Sequence, residues 1–173
     1  MHGHAPRGYA GATGRIDEVR AIFVFAEPGD PYSDERYQNV SQAWEYATNC
    51  FRIGPDQFHA NVRWILEHAW PDLTLEQRLR RVYLTDSVLC SAAIEGGVVR
   101  ASVERTCVEH LFLAQRSLFP NAIVVAFGNK AQHRLARLGV DFVPAWAVAP
   151  PGSNRHEAQA SRLEIAQMLS QLH

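Results

Sequence analysis

The sequence predicts an α/β fold of three layers, with a central, mostly parallel sheet of four strands between helices. Three observations carry this. The runs Ala21-Ile22-Phe23-Val24-Phe25 and Ala122-Ile123-Val124-Val125-Ala126-Phe127 are apolar at every position, as in strands buried on both faces of a parallel sheet. Segments with helical apolar spacing stand between the strand candidates, so the two types alternate. The strand candidates run into turns built from glycine, proline or acid, which forbid continuation.

Met1 to Thr13 is glycine-rich, with two histidines and a proline, and reads as a flexible tail; residues 14–173 then form a single domain, and His2 and His4 stay out of any metal argument. Gly14 to Arg20 leads into the first strand, Ala21–Phe25. Ser33 to Arg52 carries Tyr37, Val40, Ala43, Trp44 and Ala47 at helical spacing, with Ser33 as a cap. Gln57 to Trp70 gives a second amphipathic helix ended by Pro71, and Leu73 to Arg81 a short helical stretch. Arg81 to Asp86 is the second strand. Ser102 to Leu118 is a helix with Val103, Cys107, Leu111, Phe112 and Leu118 on its apolar side. Ala122–Phe127 is the third strand; Gly128 allows a tight turn into a helix over Asn129 to Leu138, closed by Gly139. Val140 to Val148 is a fourth, irregular strand containing Pro144. Ala149 to Asn154 is a turn, and Arg155 to Leu172 the last helix.

A chain of 173 residues, 47% of them hydrophobic, buries a substantial core. A net charge of −1 gives no global pull toward nucleic acid or anionic membranes, so DNA binding requires a local patch. The apolar runs are too short to span a bilayer and no apolar h-region opens the chain, so a cytoplasmic protein is expected, as a monomer. Three cysteines, an odd count, fit thiols in a reducing cytosol rather than a disulfide framework.

The chemistry-bearing stretch is the acidic turn after the first strand. Ligands of open α/β sheets sit at the carboxyl ends of the strands. Glu27, Asp30 and Tyr32 are delivered there by Ala26-Glu27-Pro28-Gly29-Asp30-Pro31-Tyr32. Two basic clusters, Arg78, Arg80 and Arg81, and His133, Arg134 and Arg137, are candidates for tracking phosphates, or else solvated faces. His59, His68 and His110 show no metal-ligand spacing.

The order of elements and three stretches resemble the uracil-DNA glycosylase superfamily. Phe25-Ala26-Glu27-Pro28-Gly29 stands where that family has its first motif, and Gly29-Asp30-Pro31-Tyr32 echoes its Gly-Gln-Asp-Pro-Tyr form. Val82 to Cys90, Cys107 to Leu111 and Ala122 to Leu135 are similar to the middle of the bacterial iron–sulfur branch. Ala149-Pro150-Pro151-Gly152-Ser153-Asn154-Arg155 is similar to the second motif, notably its mismatch-specific form.

The resemblance implies an enzyme that flips a base out of DNA and hydrolyses its N-glycosidic bond. The expected partner is DNA, single- or double-stranded. Glu27 falls where the family puts a water-activating Asp or Asn, and Asp30 is the alternative acid. Asp86 stands where the family reads uracil with Asn; a carboxylate only accepts hydrogen bonds, so the position implies a base with an amino group, a protonated Asp86 or a lost activity, with a turn-capping Asp as the structural alternative. Tyr32 and Phe51 are base-binding candidates, Phe51 by stacking, with a core role as its alternative. Gly152, Ser153, Asn154 and Arg155, opening a helix, are the expected phosphate site. The motif-one glycine is missing at Phe25 or Ala26, Ala149 replaces the leading His or Asn of the second motif, and Pro151 replaces its Ser. Cys90 and Cys107 match two cluster ligands, but an iron–sulfur cluster needs four thiolates and only Cys50 remains, so neither cofactor nor metal is expected. The departures support an alternative: a catalytically lapsed member that binds a nucleobase, nucleoside or nucleic acid. An unrelated α/β hydrolase finds no nucleophile elbow or P-loop in the sequence.

Overall fold

The computed structural model describes residues 9–29, 35, 37–89 and 96–172. The strands are β1 (Tyr9–Gly11), β2 (Ala21–Phe25), β3 (Val82–Asp86), β4 (Ile123–Phe127) and β5 (Val143–Ala145), and they form one sheet in the order β1-β3-β2-β4-β5. β2, β3, β4 and β5 are parallel, and β1 pairs antiparallel with β3. The sheet is therefore mixed and five-stranded, not four-stranded. The strand missed in the sequence lies in the segment expected to be a flexible tail. At three residues it is too short to show a period, yet it covers the ladder edge that β3 would otherwise leave open, with Ala10 buried.

The helices are α1 (Val40–Ile53), α2 (Gln57–Ala69), α3 (Leu75–Arg80), α4 (Ala101–Thr106), α5 (Leu113–Ser117), α6 (Asn129–Ala136) and α7 (His156–Ser170). α1 starts later than its periodicity suggests, because Asn39 caps it by accepting from Gln42 N at 3.0 Å; Ser33 lies outside the described residues. Between α4 and α5 the helix widens into π-type turns over Cys107–Phe112.

β2 is the centre of the fold and is buried at all five positions. Its alternation splits the core in two. Phe23 and Phe25 face Phe51 of α1, Val62, Ile65 and Leu66 of α2, and Ile165 and Leu169 of α7. Ile22 and Val24 face Val108 and Phe112 of the wide turns, and Ala131 and Leu135 of α6. Helices thus flank both faces, which explains the absence of polar alternation in β2 and β4. On the first face Phe25 stacks on Phe127 at 5.3 Å and meets Phe58 edge-on at 4.8 Å. Such pairs add roughly 0.5–1.5 kcal/mol each beyond their burial. No helix among the described residues is long and apolar enough to cross a membrane.

Candidate functional site

The four parallel strands end on one edge. The register places Asp86 beside Phe25, and Ala145 beside Phe127, so the turns after β2, β3, β4 and β5 open side by side. In chain order the first parallel strand is flanked by the second on one side and the third on the other. That reversal, between β2 and β4, is where open α/β sheets form their ligand crevice. Glu27 follows β2, and Gly128 to Lys130 follow β4.

Glu27 is held tightly. Ser87 N donates to Phe25 O at 2.8 Å and Val88 N to Ala26 O at 3.1 Å, so the β2–β3 ladder runs on to the residue before it. The Glu27 side chain is 5% exposed; Lys130 Nζ donates to Oε1, and Arg134 Nη1 lies 2.6 Å from Oε2. The Arg134 contact lacks hydrogen-bond alignment and acts through charge. Arg134 is itself buried, donating to Ala26 O at 2.7 Å, to Ser87 Oγ at 3.0 Å and through Nε to Glu104 Oε1 at 2.9 Å. Arg137 binds the other Glu104 oxygen, and Lys130 also donates to Gly96 O and Gly97 O, each at 2.8 Å. The result is a chain of alternating charge, Lys130–Glu27–Arg134–Glu104–Arg137, that ties the turn after β2 to α4 and α6. Glu104 is opposed first by desolvation, but Arg134 and Arg137 outweigh that and hold its carboxyl below the usual range.

Asp86 ends β3 half-buried, one strand over from the Glu27 turn. Asp30, Tyr32 and Cys90 lie outside the described residues. Phe51 is 6% exposed and packs edge-on against Phe58 at 5.8 Å and His59 at 4.7 Å, so its ring serves the core, and stacking on a base requires those contacts to open. Cys107 is buried in the wide turns, and among the described residues no group of three or more His, Cys, Asp or Glu side chains is placed to hold a metal.

The turn after β5 is built by close approach. Gly152–Asn154 form a single tight helical turn, and Arg155 opens α7. A Cβ on Gly152 would lie 2.9 Å from Ala147 Cβ, and one on Gly128 3.2 Å from the same atom. Gly128 also has φ +82°, which favours glycine. The two glycines let the turns after β4 and β5 meet over Ala147. From the other side, Gln57 Nε2 donates to Asn154 Oδ1 and Asn61 Nδ2 to Val148 O, both at 2.8 Å. Ser153 is 4% exposed, and its Oγ meets no hydrogen-bond partner among the described residues.

The two basic clusters separate. Arg78 donates to Trp70 O and Pro71 O, Arg80 pairs with Glu18 at 2.8 Å, and Arg81 lies over the Trp70 ring: these three are spent on holding α3 and its neighbours. His133, Arg134 and Arg137 instead line a groove of about 630 Å³ with Lys130. Lys130 and Glu104 are the residues that sequence reasoning passed over. Lys130 left a signal: with Arg134 and Arg137 it recurs on one face of a helix that begins at the strand edge.

No protein-family model matches the chain, and no curated protein matches it.

Proposed function

We propose that this chain is a DNA glycosylase of the uracil-DNA glycosylase type, hydrolysing the N-glycosidic bond of a deaminated or modified base flipped from DNA. The observation that carries the reading is convergence: the motif-like segments after β2, β3, β4 and β5, far apart in sequence, open on one sheet edge around its topological switch point. A flipped base needs readers on its edge and donors toward its departing charge. Asp86 is the reader, an acceptor that suits an exocyclic amino group. Ser153 Oγ, a buried donor that the described protein leaves unmatched, is the residue of the second motif suited to the leaving base. Glu27 in this arrangement anchors the motif-one turn, and Asp30 is the second acid the turn offers.

One observation favours the lapsed binder instead. A carboxylate between two cations is a poor partner for a developing sugar cation, and Glu27 is so placed by Lys130 and Arg134.

Oligonucleotides carrying uracil, hypoxanthine, xanthine, cytosine or modified cytosines, followed by alkaline cleavage of abasic sites, test the reading. Release from one substrate, lost in Asp30→Asn, supports the enzyme and identifies its acid; loss in Glu27→Gln counts toward Glu27 only where circular dichroism shows the variant folded. Binding without release supports the lapsed form.

A further inference from the structure

The groove beside α6 adjoins the strand-edge turns and shares Lys130 with them. Its floor is Arg134, 3% exposed and fixed from several sides by Ala26, Ser87 and Glu104. Its walls are the Gly97–Val98 loop and the exposed ends of Lys130, His133 and Arg137. Lys130, Arg134 and Arg137 bring three positive charges against the carboxylates of Glu27 and Glu104, so the network keeps a net excess of one, before any contribution from His133. Arg137 ends that network 59% exposed and can turn outward while Glu104 keeps Arg134; Lys130, 40% exposed, is the hydrogen-bonded partner of the buried Glu27, so a phosphate that engages it competes with that carboxylate. They stand seven residues apart, Lys130 in the first turn of α6 and Arg137 at its C-cap, about 10 Å along its axis. At the rise of one strand of a duplex this spans about three phosphates. Val98, 93% exposed, projects an apolar side chain from the same rim. Cations beside an exposed apolar side chain suit a phosphate–sugar backbone, which offers both charge and apolar surface.

We infer that this groove is a phosphate-backbone track, in which Lys130, His133 and Arg137 hold successive phosphates of a DNA strand while Val98 rests against its sugars. The inference rests on the proposed substrate only for the identity of the strand, because the groove's charge and shape are independent of base excision. Lys130 also touches Glu27 and the carbonyls of Gly96 and Gly97, so a phosphate that draws it outward acts directly on the motif-one turn.

The test uses the full chain and a fluorescent single-stranded 12-mer without a modified base, read by anisotropy across a salt series. The ligand arms are inorganic phosphate, a mononucleotide and the 12-mer. Expected for the wild type is 12-mer binding with a log–log salt slope of about −1.4, since the two permanent cations, Lys130 and Arg137, each contribute roughly −0.7 in a single strand. Arg137→Gln should shallow the slope by about 0.7, with base release from a short substrate retained, while His133→Gln should weaken binding and leave the slope unchanged. Arg15→Gln removes an exposed charge before β2, at the opposite sheet edge, and should leave the slope unchanged. Equal slopes for wild type and Arg137→Gln, or an equal loss in Arg15→Gln, overturn the track. Competition by inorganic phosphate as strong as that by the 12-mer overturns the strand in favour of a simple anion site. Loss of base release with the slopes intact bears on the proposed enzyme and not on the groove.

Discussion

Replacing Glu27 by alanine separates a structural acid from an idle one. The side chain is 5% exposed and faces Arg134, itself 3% exposed. Removing one partner of a buried pair typically costs about 3–5 kcal/mol, because the other charge is left without compensation. Two features lower the figure here. Arg134 keeps Glu104 at 2.9 Å, together with Ala26 O and Ser87 Oγ, and Lys130, 40% exposed, regains water. The expected loss is therefore at the lower end, about 3 kcal/mol. For a chain of this length that lowers Tm by about 6–12 °C. Glu27→Gln keeps an acceptor for Lys130 and should lose about half as much, in line with the roughly 1.5–3 kcal/mol of a hydrogen bond to a charged group. Lys130→Met leaves the buried Glu27 with Arg134 as its remaining cation and without its hydrogen bond, and should cost about 1–3 kcal/mol. Urea unfolding followed by far-ultraviolet circular dichroism reads all three. If Glu27→Ala unfolds within about 0.5 kcal/mol of the wild type, the anchoring role is refuted, since the ion pairs then contribute nothing measurable.

Gly128→Ala forces a side chain into φ +82° and toward Ala147, and should destabilise by about 1–3 kcal/mol, read as a fall in Tm. Phe25→Ala removes a ring that packs on Phe127 and Phe58, and should cost about 3–5 kcal/mol in the same urea assay. His59 is held below the usual histidine range, first by burial and against the pull of Asp56, whose Oδ2 lies 2.5 Å from Nδ1. Between the two values the unfolded chain binds the extra proton, so this contribution is full above about pH 6.5 and is lost as pH falls through the folded value; His59→Gln should flatten that part of a Tm–pH curve. Asp86→Asn supplies an amide donor beside Phe25, and should shift base release toward uracil and away from amino-bearing bases in a competitive oligonucleotide assay.

The long elements were legible because burial wrote them into composition. β2 and β4, covered on both faces, are apolar throughout, and α2 and α7 keep their apolar residues close to helical spacing. β1 was hidden because a three-residue edge strand among glycines leaves no pattern. Glu27 was found through its place after a buried strand, but its state was not: the two cations beside it come from a helix more than a hundred residues away. Gly152 reads as a phosphate-site glycine in sequence, whereas its packing against Ala147 depends on a strand end and a turn meeting in space. Pairings of that kind are properties of the sheet order, which no local window contains.

The most direct test is single-turnover incubation of the wild-type protein with the modified oligonucleotides, with the free base measured by mass spectrometry. A free base from one substrate, paired with an abasic strand of equal amount, is the predicted result. Intact oligonucleotides throughout, at protein in excess and low salt, would contradict a glycosylase.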